Sequence, residues 1–188
     1  MGYAIAEAAL DRGHDVILIS GPVNLAPPRN AKFISVSTSD EMFDAVHQHA
    51  DESDISVLCA AVADYKLAQV SPVKIKKRAA GTSLELIPTR DILQSLGQRQ
   101  NRKFLLVGFA ADTDHLEANA TKKLREKNCD IIVANDASIA METDENQLLI
   151  LFRDGETKEI SRAPKKNLAR ELVKIFLNLQ QKCLTKKM

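Results

Sequence analysis

The chain has 188 residues, enough for one domain with a substantial core and too few for two ordinary ones. With 26 Lys and Arg against 25 Asp and Glu its formal charge is +1, so no global positive field suits it to nucleic acid or a membrane surface, and any anion site must be built locally. The 3 cysteines, Cys59, Cys129 and Cys183, form no C-x-x-C pair and fit neither a disulfide framework nor a zinc site, so a reducing cytoplasm is the compartment they suit.

The opening MGYAIAEAALDRGHDV breaks its apolar run with Glu7, Asp11 and Arg12, which reads as neither a signal peptide nor a membrane span. Tyr3 to Leu10 have helical spacing with Gly13 as the expected C-cap, and HDVILIS then has the β-branched density of a buried strand. After the turn-rich SGPVN come a short strand, KFISVS, and a helix, TSDEMFDAVHQHA, with Ser39 as the expected N-cap and acids in its first turn. DISVLCAAVA is apolar on both faces and predicts a central strand.

A lysine-studded loop, AAVADYKLAQVSPVKIKK, follows without a helix, then SLELIPT and a short helix near DILQSLGQR. KFLLVGFAA, LEANATKKLREKN and CDIIVAND continue as strand, helix and strand, and this alternation implies a mostly parallel sheet covered on both faces. QLLILFRDGETKEI predicts a hairpin turning at Asp154-Gly155, and PKKNLARELVKIFLNLQQ a closing amphipathic helix started by Pro164. The expectation is an α/β, doubly wound, Rossmann-like domain over residues 1–181 with an appended C-terminal hairpin and helix, and a frayed tail over 182–188.

A doubly wound nucleotide-binding unit ordinarily begins with a strand and a glycine-rich turn feeding its first helix. Here Met1 and Gly2 stand where that turn should end, so the reading expects an unfilled slot in mid-sheet and two strands with unpaired edges.

Ligands of open α/β sheets bind beyond the carboxyl ends of the strands, so CAAVADY, GFAADT and VANDAS are the tips of interest. Asp64 precedes Lys74 by ten residues, and a looping connection can bring Lys74, Lys76 and Lys77 over the same tip; a carboxylate there can orient a sugar hydroxyl or a base amino group. A solvated surface loop has the same composition. Lys123 and Lys127, four apart beside the apolar stripe Leu116, Ala120 and Leu124, repel mildly unless an anion joins them, and two such clusters suit a triphosphate; a helix face kept soluble is the alternative. Phe109, at the end of a strand, either packs a base or ribose or belongs to the core, and Asn135 and Asp136 either bond a ligand or form a turn. The 4 histidines have no metal-ligand spacing, and no serine sits in a nucleophile elbow.

Together, AAVADYKLAQVSPVKIKK, LLVGFAADT and DIIVANDAS resemble the phosphopantothenoylcysteine synthetase family, which in many bacteria is the C-terminal half of a bifunctional coenzyme A biosynthesis protein; SGPVNL fits the family's second turn, and the likeness runs from Met1 to about Gln181. The resemblance implies ligation of 4'-phosphopantothenate to cysteine with CTP and Mg2+, through an acyl-cytidylate and with release of pyrophosphate and then CMP. It implies that Asp64 and the backbone around Cys59 and Ala60 meet the cytidine, that Lys74 binds the phosphates and stabilises the first transition state, and that Asp91 and Ile92 contact the nucleotide. It likewise implies that Phe109 lines the pocket, that Lys123 and Lys127 bind CTP, and that Ala110 and Ala111 are small to admit it. A homodimer is implied, with the region after AAVADY contributing to the partner's site, and no bound FMN, since the flavin-dependent half has no counterpart. The family's glycine-rich turn and an asparagine that handles the acyl-cytidylate have no position in this sequence. A non-catalytic remnant or partner subunit that keeps the dimer surface and a weak nucleotide affinity is therefore the alternative. A dinucleotide-dependent oxidoreductase needs a glycine fingerprint that is absent and an acid where ILISGP has Ser20.

Overall fold

The structure, a computed structural model, describes residues 1–77, 82–112, 114–136 and 145–185. Helix α1 (Gly2–Leu10) buries Ile5, Ala6 and Ala8. It ends with Asp11 rather than the expected Gly13 as C-cap, and Gly13, two residues further on, closes the following turn at φ +81° with its N–H on the Leu10 carbonyl at 2.8 Å. Strands β1 (Ile17–Ser20) and β2 (Lys32–Ser35) pair in parallel.

Helix α2 (Ser39–His49) is capped by Thr38 rather than Ser39. Thr38 has the extended backbone of an N-cap and accepts the Glu41 N–H at 3.1 Å, while the Glu41 carboxylate reaches back to the Ser37 N–H at 2.6 Å. Thr-x-x-Glu spacing, which satisfies two otherwise orphaned donors, decides the start of the helix.

Beyond a short 3-10 turn lie β3 (Ile55–Leu58), then β4 (Tyr65–Leu67) and β5 (Leu86–Pro88), which pair as an antiparallel ribbon; β4 is a strand within the expected lysine loop, and β5 lies in SLELIPT. Helix α3 (Ile92–Gly97), β6 (Leu105–Asp112), α4 (Leu116–Glu126) and β7 (Ile131–Asp136) follow. The expected hairpin is β8 (Glu145–Phe152) and β9 (Thr157–Pro164), appended to the parallel strands so that it extends the main sheet, with order β3-β6-β7-β8-β9 and β8 antiparallel to both neighbours. Pro164 ends β9, and α5 (Lys165–Thr185) starts directly after it. It carries residues 182–185 of the expected tail as helix, and residues 186–188 lie outside the described residues.

Alternation along the strands builds two apolar layers. Leu105, Val107, Ile131, Val133, Leu148 and Ile150 face α1 and α5, meeting Ile5, Leu168, Leu172 and Phe176. Leu106, Ile132 and Ala134 face α3 and α4, meeting Leu93, Leu96, Ala120 and Leu124. Gly97 lets α3 close on this layer: a Cβ there would run into the Lys127 carbonyl that ends α4.

DISVLCAAVA, expected as a central strand, is a short one at the edge of the five-stranded sheet, because among the described residues β3 pairs only with β6 and β1 only with β2. The start of α1 reaches the carboxyl ends of both: the Tyr3 hydroxyl donates to Ser20 Oγ at 3.1 Å, and Gly2 lies against Cys59 Sγ. A third cluster of Val36, Met42 and Ile92, with Ile19 and Leu58 against it, binds the two sheets into one body.

Candidate functional site

Parallel β3, β6 and β7 end on one side of the sheet, and the predicted residues divide into those that gather there and those that do not. Lys123, in the last turn of α4, and Lys127, its C-cap, stand about one helical turn apart, as their spacing requires. The Lys123 ammonium donates to the Phe109 carbonyl at 2.7 Å, and Lys127 Nζ lies 2.7 Å from Asp91 Oδ2. Ala110, Ala111, Asn119, Lys122, Lys123 and Lys127 line most of a cleft of about 310 Å³ at this end, completed by Glu126. A larger concavity of about 920 Å³ on the outer face of α4, around Glu117, Thr121 and Arg125, opens broadly to solvent and lacks the strand tips.

Asp91 is both the N-cap of α3, accepting the Gln94 N–H at 2.8 Å, and the counterion of Lys127. Burial opposes its ionisation, but the Lys127 ammonium, the Gln94 N–H and the charge of Lys123 outweigh it and hold the carboxyl below its usual range. Ile92 turns its side chain into the core. Phe109 also packs its ring against the core on the α1 and α5 side, and it is its carbonyl that meets Lys123.

Cys59 is half-buried and burial pushes its thiol up; Ala60 and Asp64 are exposed. The Asp64 carbonyl accepts the Thr89 N–H at 2.9 Å, closing the root of the β4–β5 ribbon. Beyond that ribbon Lys74, Lys76 and Lys77 are exposed, with no hydrogen bond or ion pair among the described residues. The structure thus brings Asp91, Lys123 and Lys127 together beside Ala110 and Ala111, and leaves the lysine arm standing out from them. Asn135 and Asp136 are the last two residues of β7, paired with Ala111 and Asp112 of β6, and the residues after Asp136 in the VANDAS tip lie outside the described residues.

Two features escaped the sequence reading. Asn119 lies one turn before Lys123 and lines the cleft, which the repeat Asn119, Lys123, Lys127 could have revealed. The other is an ionic cluster at the root of the ribbon, where Lys66 and Arg90 both bond Asp40 and Arg90 also meets Asp44 at 2.9 Å. Partners so distant in sequence leave no local pattern.

The family described as DNA/pantothenate metabolism flavoprotein C-terminal domain matches residues 1–179. The coenzyme A biosynthesis bifunctional protein CoaBC of Haemophilus influenzae is 41% identical over 186 residues, covering 98% of this chain and 46% of that protein. Its Bacillus subtilis counterpart is 44% identical over 177 residues, covering 92% and 43%. The chain therefore spans about half the length of these relatives. The crystal structure of the C-terminal domain of a CoaBC protein superposes with a TM-score of 0.80 at 41% identity, covering 96% of this chain and 82% of that one. A DNA/pantothenate metabolism flavoprotein from Streptococcus pneumoniae shares the fold, with a TM-score of 0.79 at 20% identity over 94% of this chain and 86% of that one.

Proposed function

The chain belongs to the DNA/pantothenate metabolism flavoprotein C-terminal domain family, and from that premise we propose that it is a CTP-dependent ligase joining 4'-phosphopantothenate to cysteine in coenzyme A biosynthesis. The observation that carries this reading is the strand-tip cleft, where two ammonium groups one turn apart face a floor of alanines. Such a cleft suits a polyphosphate, whose charge is the main obstacle to nucleophilic attack.

In the proposed reaction a carboxylate oxygen of 4'-phosphopantothenate bonds to the α-phosphorus of CTP, and the bond to the bridging oxygen breaks to release pyrophosphate. The cysteine amine then attacks the acyl-cytidylate carbonyl, CMP leaves, and the amine proton passes to solvent. Lys123 and Lys127 neutralise the phosphates, Lys74 closes on them from the arm in the first transition state, and Asp64 with the backbone at Cys59 and Ala60 receives the cytidine. Asp91 and Ile92 border the nucleotide and Phe109 supports it from below. Ammonium groups dominate the cleft and suit phosphate rather than a bare cation, so Mg2+ is read as arriving on the triphosphate, where it supplies further charge neutralisation.

A homodimer belongs to the same reading, supported by large apolar side chains exposed along the arm and its ribbon: Tyr65, Val70, Val73, Ile75, Leu84 and Leu86. So does a cytoplasmic setting; no helix among the described residues is long and apolar enough to cross a membrane. That Lys74 makes no hydrogen bond or ion pair among the described residues favours a second reading, nucleotide binding without ligation. Pyrophosphate release separates the two. Release that requires 4'-phosphopantothenate, prefers CTP to ATP and falls by about a hundredfold or more in Lys74→Ala supports the ligase. Absence of release by a chain that binds CTP leaves the second reading.

A further inference from the structure

A two-stranded ribbon of this length is marginal by itself, and apolar packing does little to hold β4–β5 in place. Leu67, Leu86 and Ile87 are 39%, 56% and 37% exposed. Hydrogen bonds close its root, with Thr89 Oγ1 on the Ala63 carbonyl at 2.6 Å and Thr89 N–H on the Asp64 carbonyl at 2.9 Å, but these join one leg to the other. The grip on the body is largely ionic and centres on Asp40, in the first turn of α2, the one carboxylate that meets both legs among the described residues; Asp44 and the Phe43 ring hold Arg90 beside it.

Asp40 takes both legs. Lys66 of β4 donates to Oδ2, and Arg90, two residues after β5, donates from Nε to Oδ1 at 3.1 Å. Arg90 also donates from Nη2 to the Asp40 backbone carbonyl at 3.1 Å, pairs with Asp44 at 2.9 Å, and lays its guanidinium 3.9 Å above the Phe43 ring. The Lys66 and Arg90 bonds outweigh the partial burial that opposes ionisation, and Asp40 is held below the usual carboxylate range. Exposed pairs of this kind add little to global stability, but four directed contacts on one guanidinium fix an orientation. The residue after Arg90 is Asp91, the counterion of Lys127, so one clamp sets both the arm and the edge of the cleft.

We propose that Asp40 is a positioning residue that clamps both legs of the β4–β5 ribbon and thereby aims the arm carrying Lys74 at the strand-tip cleft. At ~3.3 Å per residue the six residues from Ala68 to Lys74 span at most about 20 Å when fully extended, and Ser71 bends the chain at Val73, so a pivot of about 10° at the root displaces the Lys74 ammonium by up to about 3 Å. Misplacement on that scale removes about a hundredfold in rate when charge must meet a transition state.

The role in catalysis rests on the ligase reading, and the test separates the two. Amide exchange is followed at Ala68 and Thr89, whose N–H groups hold the ribbon, and at Leu106 and Ile132 in the core, alongside pyrophosphate release, in wild type, Asp40→Asn, Asp40→Glu and Lys66→Met. Asp40→Asn is expected to speed ribbon exchange about tenfold with the core unchanged, and to lower kcat about tenfold or more with KM for CTP within about twofold. Asp40→Glu restores most of both, and Lys66→Met, which frees one leg, has the smaller effect. Unchanged ribbon exchange in Asp40→Asn overturns the clamp, and faster exchange with unaltered kcat overturns the positioning role. A wild-type chain that binds CTP without turnover sinks the ligase reading and the aiming of Lys74 with it, while the exchange data still decide the clamp.

Discussion

Lys123 and Lys127 reach the cleft because α4 buries Leu124 and Ala120, which leaves the neighbouring positions facing the strand tips. In the free chain both ammonium groups already have partners, the Phe109 carbonyl and Asp91, so a phosphate must be the better acceptor to recruit them. Lys123→Ala and Lys127→Ala are each expected to weaken MgCTP binding about tenfold or more by calorimetry, since a charge-assisted bond to phosphate is lost. Asp91→Asn, which keeps a capping oxygen but gives up the ion pair, is expected to leave α3 in place by amide exchange. The lysine pair was legible in the sequence because helical periodicity makes neighbours of residues four apart. The Asp91–Lys127 pair was not, because it joins a cap to a helix end across 36 residues.

Between elements, α2 and α3 meet through His47, whose tautomer follows from its partners. Arg99 Nη2 donates to Nδ1 at 2.6 Å, so Nε2 carries the proton toward Ser95 Oγ at 2.7 Å, and that hydroxyl donates to the Ile92 carbonyl. Burial, then the positive charges of Arg99 and Arg90, lower its pKa against the opposing pull of Asp44 and Asp51. A lowered folded value means that protonation favours the unfolded chain. The stabilisation is present above the unfolded pKa of about 6.5 and is lost as pH falls through the folded value. Urea midpoints measured from pH 7.5 down to pH 5 should therefore decline, and the decline should flatten in His47→Gln; equal slopes would remove His47 from the account. Gly97→Ala tests the neighbouring contact, since its methyl must displace the Lys127 carbonyl, at about 1–3 kcal/mol of stability. Strands and helices of this region were readable from apolar period, but the α2 start turned on Thr38 and Glu41, a cap three residues from its partner, which adjacency to the first acids did not reveal.

At the scale of the molecule, the alternation of strands and helices was enough to read a sheet covered on both faces, because burial of both faces leaves near-continuous apolar runs such as FLLVGFAA. Strand order was less accessible: the hairpin's place beside β7 and the division between β1–β2 and β3 depend on partners, not on local pattern. Among the described residues β1 pairs only with β2 and β3 only with β6, so the amides on their other edges should exchange faster than the paired interior of β6 and β7. The exposed apolar arm predicts association: light scattering should give a dimer, and Val73→Asp with Ile75→Asp should give a monomer with an unchanged core. The central claim is that the strand-tip cleft binds a nucleotide triphosphate, and calorimetric titration with MgCTP of wild type beside Lys123→Ala tests it most directly. The account predicts saturable binding by the wild type that the substitution weakens about tenfold or more. A folded wild type that takes up no CTP, or equal binding by the variant, would contradict it.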